Sequence, residues 1–133
     1  MDEIVFWLVL SWELIWKMKS SIIKEKSYKF SLEIIKLYKL LLKQKEYVLS
    51  KQLIRNGTSI GANIEEALAG QSHADFLSNM SIASKEARET KYWLNLLNDS
   101  GFIEKEHITP LMKECEGIIK ILTSIVKTIS TKN

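Results

Sequence analysis

Four glutamates, two histidines and one cysteine are the residues of this chain best suited to chemistry, and their spacing limits what they can do. Glu86 and Glu89 lie three apart, so on a helix they share one side, with Lys85 and Arg88 alongside. Glu65 and Glu66 form a second acidic pair. Paired carboxylates are the machinery of glycoside hydrolysis, but that reaction also needs a pocket around the sugar, and a small helical bundle offers no obvious cleft. The expected role is structural: Arg55, Asn63, Glu66, Glu86 and Glu89 form a polar network across two helices, or pair across a subunit boundary. His73 and His107 have no second ligand at metal spacing, since His-x-x-x-His, Glu-x-x-His and Cys-x-x-Cys are all absent. Cys115 sits among Lys113, Glu114 and Glu116 with no triad partner, and reads as a packed or half-exposed thiol. Gly57-x-x-x-Gly61 lacks the Lys-Ser/Thr that would follow it in a phosphate loop. The chain is therefore expected to have no catalytic centre, cofactor or metal, and not to be an enzyme.

Charge patterning suggests a different activity. The net charge is +3, but residues 17–55 carry eleven Lys and Arg against three Glu. Lys29, Lys36 and Lys43 are seven apart and fall on one helical stripe, with Lys39 beside it. Together with Arg55 they form the candidate contact for phosphate backbones of RNA or DNA. Tyr38 is the single aromatic beside the stripe, which argues against base stacking.

These residues must be carried by long helices, because one proline and five glycines in 133 residues leave few places for turns. At this length the chain is one domain. Phe30, Ile34, Leu37 and Leu41 give an amphipathic helix over residues 24–43, widened by Ile35, Tyr38 and Leu42. The second helix covers about 46–69 through Leu49, Leu53, Ile60, Ile64 and Ala67. Its Asn56-Gly57 pair is ordinarily a turn, but the apolar register continues across it, so the helix is expected to continue too. Gly57 and Gly61 then share a face that a neighbouring backbone could approach. Ser72 caps a third helix with Phe76, Met80, Ala83, Ala87, Thr90, Leu94 and Leu97 inward, ended by Asn98-Asp99-Ser100-Gly101. The fourth covers about 104–130 with Leu111, Ile118, Leu122, Ile125 and Ile129 buried, and Pro110 either starts it or lies within it. Short loops between four helices give an all-α, antiparallel, up-down-up-down four-helix bundle over residues 18–133.

Residues 1–17 stand apart, with Trp7, Trp12 and Trp16 in a largely apolar run. The run is shorter than the roughly 20 residues a bilayer span needs, and its acidic start is unlike a secretory signal. It is an extra helical arm, an interfacial anchor, or a stretch upstream of a start at Met18. The last is favoured because Met18-Lys19 makes a natural beginning, and no membrane role is expected. The single cysteine suits a reducing cytoplasm.

Two stretches are distinctive: Gln52-Leu53-Ile54-Arg55-Asn56-Gly57-Thr58-Ser59-Ile60-Gly61-Ala62-Asn63-Ile64-Glu65-Glu66-Ala67 and Ile82-Ala83-Ser84-Lys85-Glu86-Ala87-Arg88-Glu89-Thr90-Lys91-Tyr92-Trp93-Leu94. Together they resemble the bacterial four-helix-bundle family first noticed as reading frames in intervening sequences of 23S ribosomal RNA genes. Accessory proteins of diversity-generating retroelements look like relatives. The resemblance covers about residues 22–130 and implies a bundle that assembles into a homopentameric ring, with an association with RNA or nucleic-acid machinery. It implies no enzymatic activity. The matching positions are Gln52, Arg55, Ser59, Gly61, Asn63, Glu66, Lys85, Glu86, Glu89 and Trp93. Asn56-Gly57 departs from the commoner small pair and is expected to soften the second helix. The function expected is a non-enzymatic oligomeric scaffold binding nucleic acid. The alternative is a protein-interaction module that docks a nucleic-acid-processing partner such as a reverse transcriptase.

Overall fold

The computed structural model describes residues 2–131, excluding the side chains of residues 8–13, 15 and 16. Trp12 and Trp16, singled out above, therefore lie outside the described side chains. The described residues form four helices: α1 (Glu3–Lys43), α2 (Leu49–Ala69), α3 (His73–Asp99) and α4 (Lys105–Thr131). Each helix packs on its neighbours in the order α1–α2–α3–α4, and α4 returns to α1, which is the antiparallel bundle expected.

The buried faces follow the apolar spacing. Ile23, Phe30, Ile34, Leu37 and Leu41 of α1 meet Leu53, Ile60 and Ile64 of α2. Met80, Ala83, Ala87, Leu94 and Leu97 of α3 and Ile118, Leu122 and Ile125 of α4 complete one core. Phe76 and Leu49 are only partly buried. Cys115 is fully buried, donates to the Ala87 carbonyl at 3.3 Å, and burial pushes its thiol up to about 12. It is a core thiol.

Three local features differ from the sequence reading or resolve it. First, α1 begins at Glu3, capped by Asp2, so the extra N-terminal arm is helical and runs unbroken into the helix read over residues 24–43. Residues 4–7 are apolar in four consecutive directions, so no period of 3.6 marks them as helix. Second, Pro110 lies inside α4, which starts at Lys105, rather than at its first residue. Third, α2 is capped by a residue outside it. The buried Glu46 carboxylate accepts from the Val48, Leu49 and Ser50 N–H groups at 3.2, 2.9 and 2.6 Å.

Burial alone would raise the Glu46 pKa, but the hydrogen bonds from Leu49, Ser50 and Val48 outweigh it and hold the carboxyl below 4.5. The sign follows: its contribution to stability is complete above 4.5 and is lost as pH falls through the lower folded value. Glu46→Gln is expected to lose about 1–2 kcal/mol at neutral pH, since a charged acceptor of three donors becomes a neutral one. Urea titrations at pH 7 and pH 3 check this, and the deficit should shrink at the lower pH.

Candidate nucleic-acid interface

The lysine stripe follows from the helical period of α1, which puts residues seven apart on one side. Phe30, Ile34 and Leu37 point into the core, so Lys29, Lys36, Lys39 and Lys43 point away from it, and all four are exposed. Lys43 also sits in the last turn, where a cation complements the helix dipole. Two of the four are partly committed. Lys29 pairs with Glu25 at 2.9 Å and Lys36 with Glu33 at 3.1 Å. The hydrogen bond and charge of Lys29 hold the Glu25 carboxyl below its usual range. Both pairs are solvent-exposed and weak, so a phosphate could displace the glutamate.

Arg55 is not in this stripe. It is exposed on α2, with its guanidinium turned along its own helix to Gln52 Oε1 at 3.1 Å. Acids of α4 also come close: Glu114 faces Lys26 and Lys29 across the α1–α4 groove, and Glu106 and His107 lie farther along it beside Lys36. His107 lies 3.6 Å from Glu106, and His73 opens α3. Among the described residues no group of three or more His, Cys, Asp or Glu could hold a metal ion.

The expected polar network across α2 and α3 exists, but with a different centre. Asn56, fully buried, donates from Nδ2 to Glu86 Oε2 at 2.5 Å and to Glu89 Oε2 at 2.7 Å. Its Oδ1 accepts from Trp93 Nε1 at 3.0 Å. Arg55 and Asn63 are not members: Arg55 bonds Gln52, and Asn63 donates to the Ser59 carbonyl at 2.8 Å within α2. Glu66 is exposed, as is Lys85. Physically, Arg55 and Glu66 lie on the outer side of α2, whereas Asn56 is one residue round toward α3. Asn56 was left out of the expected network because it was weighed only as half of a pair that softens the helix, not as a side chain needing partners. The usable clue was that an asparagine in an unbroken apolar register must find partners, and two glutamates and a tryptophan stood on the facing helix.

The two distinctive stretches thus converge on the α2–α3 contact, while the lysines stand on α1. Gly57 and Gly61 face α1 instead. A Cβ on Gly57 would lie 2.8 Å from Ile34 Cγ2, and one on Gly61 would lie 3.6 Å from the Ser27 carbonyl oxygen. Ser59 turns its hydroxyl back to the Arg55 carbonyl at 2.6 Å. Within a continuous α2, the Asn56-Gly57 pair provides one polar contact to α3 and one close approach to α1.

The comparisons match the helical bundle. The family model described as "23S rRNA-intervening sequence protein" fits residues 19–124, and the chain belongs to that family. A crystal structure of a protein of unknown function from the S23 ribosomal protein family of Bacteroides thetaiotaomicron VPI-5482 is 48% identical. It aligns over 82% of this chain and 98% of its own, with a TM-score of 0.79. No curated protein matches. The family match begins at residue 19, where the Lys19 ammonium donates to Ser124 of α4 at 3.0 Å, and leaves the apolar arm outside.

Proposed function

We propose that this protein is a non-enzymatic, oligomeric helical scaffold that binds RNA or DNA through its phosphate backbone. The observation that carries this reading is the row of exposed lysines, Lys29, Lys36, Lys39 and Lys43, on the outer side of one straight helix. Seven-residue spacing puts successive lysines roughly 10 Å apart along the axis, close enough for each to meet a phosphate of one strand. The family's association with 23S rRNA intervening sequences supports RNA as the ligand class. Oligomerisation, as the pentameric ring implied by the resemblance, would repeat the row and add its weak contacts by avidity. A cytoplasmic setting fits a lone buried thiol and, among the described residues, no helix long and apolar enough to cross a membrane.

The test is binding of a short structured RNA at two salt concentrations. Lys36→Glu with Lys43→Glu should weaken it about tenfold or more near 0.1 M salt and flatten the salt slope by about two counterions. Unchanged affinity in that variant would remove the reading.

The ion pairs of Lys29 and Lys36 favour the second reading, docking of a nucleic-acid-processing protein with no direct nucleic-acid contact. A partner that remains bound after nuclease treatment, from a protein that ignores purified RNA, would decide for it.

A further inference from the structure

α1 is apolar on two sides. Its inner side, with Ile23, Phe30, Ile34, Leu37 and Leu41, packs in the core of its own bundle. On the opposite side Leu14, Met18, Tyr28 and Leu32 are 61, 57, 66 and 45% exposed, and Ile22 beside them is 46% exposed. Among the described residues no large apolar side chain of α4 is exposed to this degree, so the stripe is not a general property of the bundle surface. One apolar side is enough to hold a helix in its bundle, and the second is left for a partner.

The spacing of the outer stripe is that of a coiled-coil seam. Leu14, Ser21, Tyr28 and Ile35 follow one another at seven residues. Met18, Glu25 and Leu32 do the same, each four residues after a member of the first row. Alternating steps of four and three keep both rows on one side of the helix, over about 27 Å from Leu14 to Leu32. Ser21 and Glu25, adjacent in the seam, are its polar members.

We propose that this stripe is covered by the same stripe of a second copy, the two α1 helices lying antiparallel about a two-fold axis level with Ile23. This deepens the oligomeric part of the reading above and does not depend on nucleic-acid binding. The pattern selects both direction and register. About that axis Leu14 meets Leu32 of the second copy, Met18 meets Tyr28 and Ser21 meets Glu25, and each contact is made twice. Apolar side chains meet apolar ones, the Met18 thioether meets an aromatic ring, and the Ser21 hydroxyl donates to the Glu25 carboxylate. Sliding by seven residues either way puts Leu14 against Glu25 or Lys39. Parallel, unstaggered pairing sets Glu25 directly against Glu25. On the flanks of the antiparallel seam Ile22 faces Ile22 and Lys24 faces Lys24. Each Lys24 lies 3.9 Å from Glu65 of its own copy and each Glu25 2.9 Å from its own Lys29, so the charges near the axis arrive already paired.

The experiment compares the solution mass of the full chain with that of Met18→Glu combined with Leu32→Glu, at the same concentration. Both side chains are exposed and outside the core, so the bundle should fold in the variant, which circular dichroism checks. The expected result is that the variant has half the mass of the parent. A second measurement puts no charge in the stripe. A Met18→Cys chain mixed with a Tyr28→Cys chain should give a disulfide between the two, and Cys115 is buried and does not compete. Neither chain alone should do so, because this register holds each position about 15 Å along the axis from its own copy. Unchanged mass in the glutamate variant, with no mixed disulfide, overturns the contact and leaves the scaffold standing. A disulfide formed by Met18→Cys alone overturns the antiparallel register. A parent that is itself a monomer overturns both the contact and the oligomeric scaffold. Sedimentation of the parent, but not the variant, with vesicles of mixed neutral and anionic lipid, at unchanged mass, overturns the contact and gives the stripe to a lipid surface.

Discussion

Asn56→Asp is expected to destabilise the bundle by about 3–5 kcal/mol, the largest loss of any single change of similar size. The side chain is fully buried, and both N–H groups of its amide are used, one on Glu86 and one on Glu89. Aspartate keeps the shape, so the Trp93 indole still finds an acceptor. Both donors are replaced by a carboxylate facing two others, and among the described ion pairs neither glutamate has a cation to offset it. The penalty combines two lost charge-assisted hydrogen bonds with the burial of a new carboxylate beside two others, of which Glu86 is half-buried and Glu89 exposed. Urea unfolding at pH 7 measures it. Part of the loss should return near pH 4, where the new carboxyl can take a proton and donate to a neighbour. A change below about 1 kcal/mol would mean that Asn56 is not buried against these carboxylates as described.

The second large effect is a contrast between two glycines on one face of α2. Alanine is the better helix former by about 1 kcal/mol, so propensity alone predicts that both Gly57→Ala and Gly61→Ala stabilise. At Gly61 the new methyl would meet Ser27 and Ser31 atoms at 3.5–3.6 Å, an ordinary contact, and a gain of up to about 1 kcal/mol is expected. At Gly57 it would lie 2.8 and 2.9 Å from two carbons of Ile34 and 3.3 Å from its Cβ. Ile34 is β-branched and fully buried, so it cannot swing aside without moving α1. Gly57→Ala is therefore expected to lose about 1–3 kcal/mol despite its helix propensity. Thermal unfolding of the two variants side by side should show melting temperatures moving in opposite directions.

Much of the fold was legible because the apolar spacing is regular where the core is. Leu53, Ile60 and Ile64, then Ala83, Ala87 and Leu94, are buried where the helical period put them. The same logic carried α2 correctly through Asn56-Gly57, since the period outweighs a dipeptide preference that tertiary contacts can override. It failed for the first turns of α1, which are apolar on every side and so have no period to read. The capping role of Glu46 was also hidden, because the second helix was read from about residue 46, whereas it starts at Leu49 and Glu46 lies before it. Of the candidate site, the lysine stripe could be read from seven-residue spacing alone. The ion pairs with Glu25 and Glu33, and the acids contributed by α4, depend on which helices become neighbours and on rotamers. No spacing rule gives those. Arg55 was grouped with the lysines on charge, although charge says nothing about which helix side it occupies.

Between Glu3 and Lys43 there is neither a glycine nor a proline, so α1 has no swivel. The arm and the lysine row are opposite ends of one lever. Ile23, Phe30, Ile34, Leu37 and Leu41 anchor the lysine end in the core, so the lysines keep their direction and fraying falls on the first turns. Backbone amides should exchange fastest at Glu3 and slow progressively toward Lys19, which is hydrogen-bonded to α4.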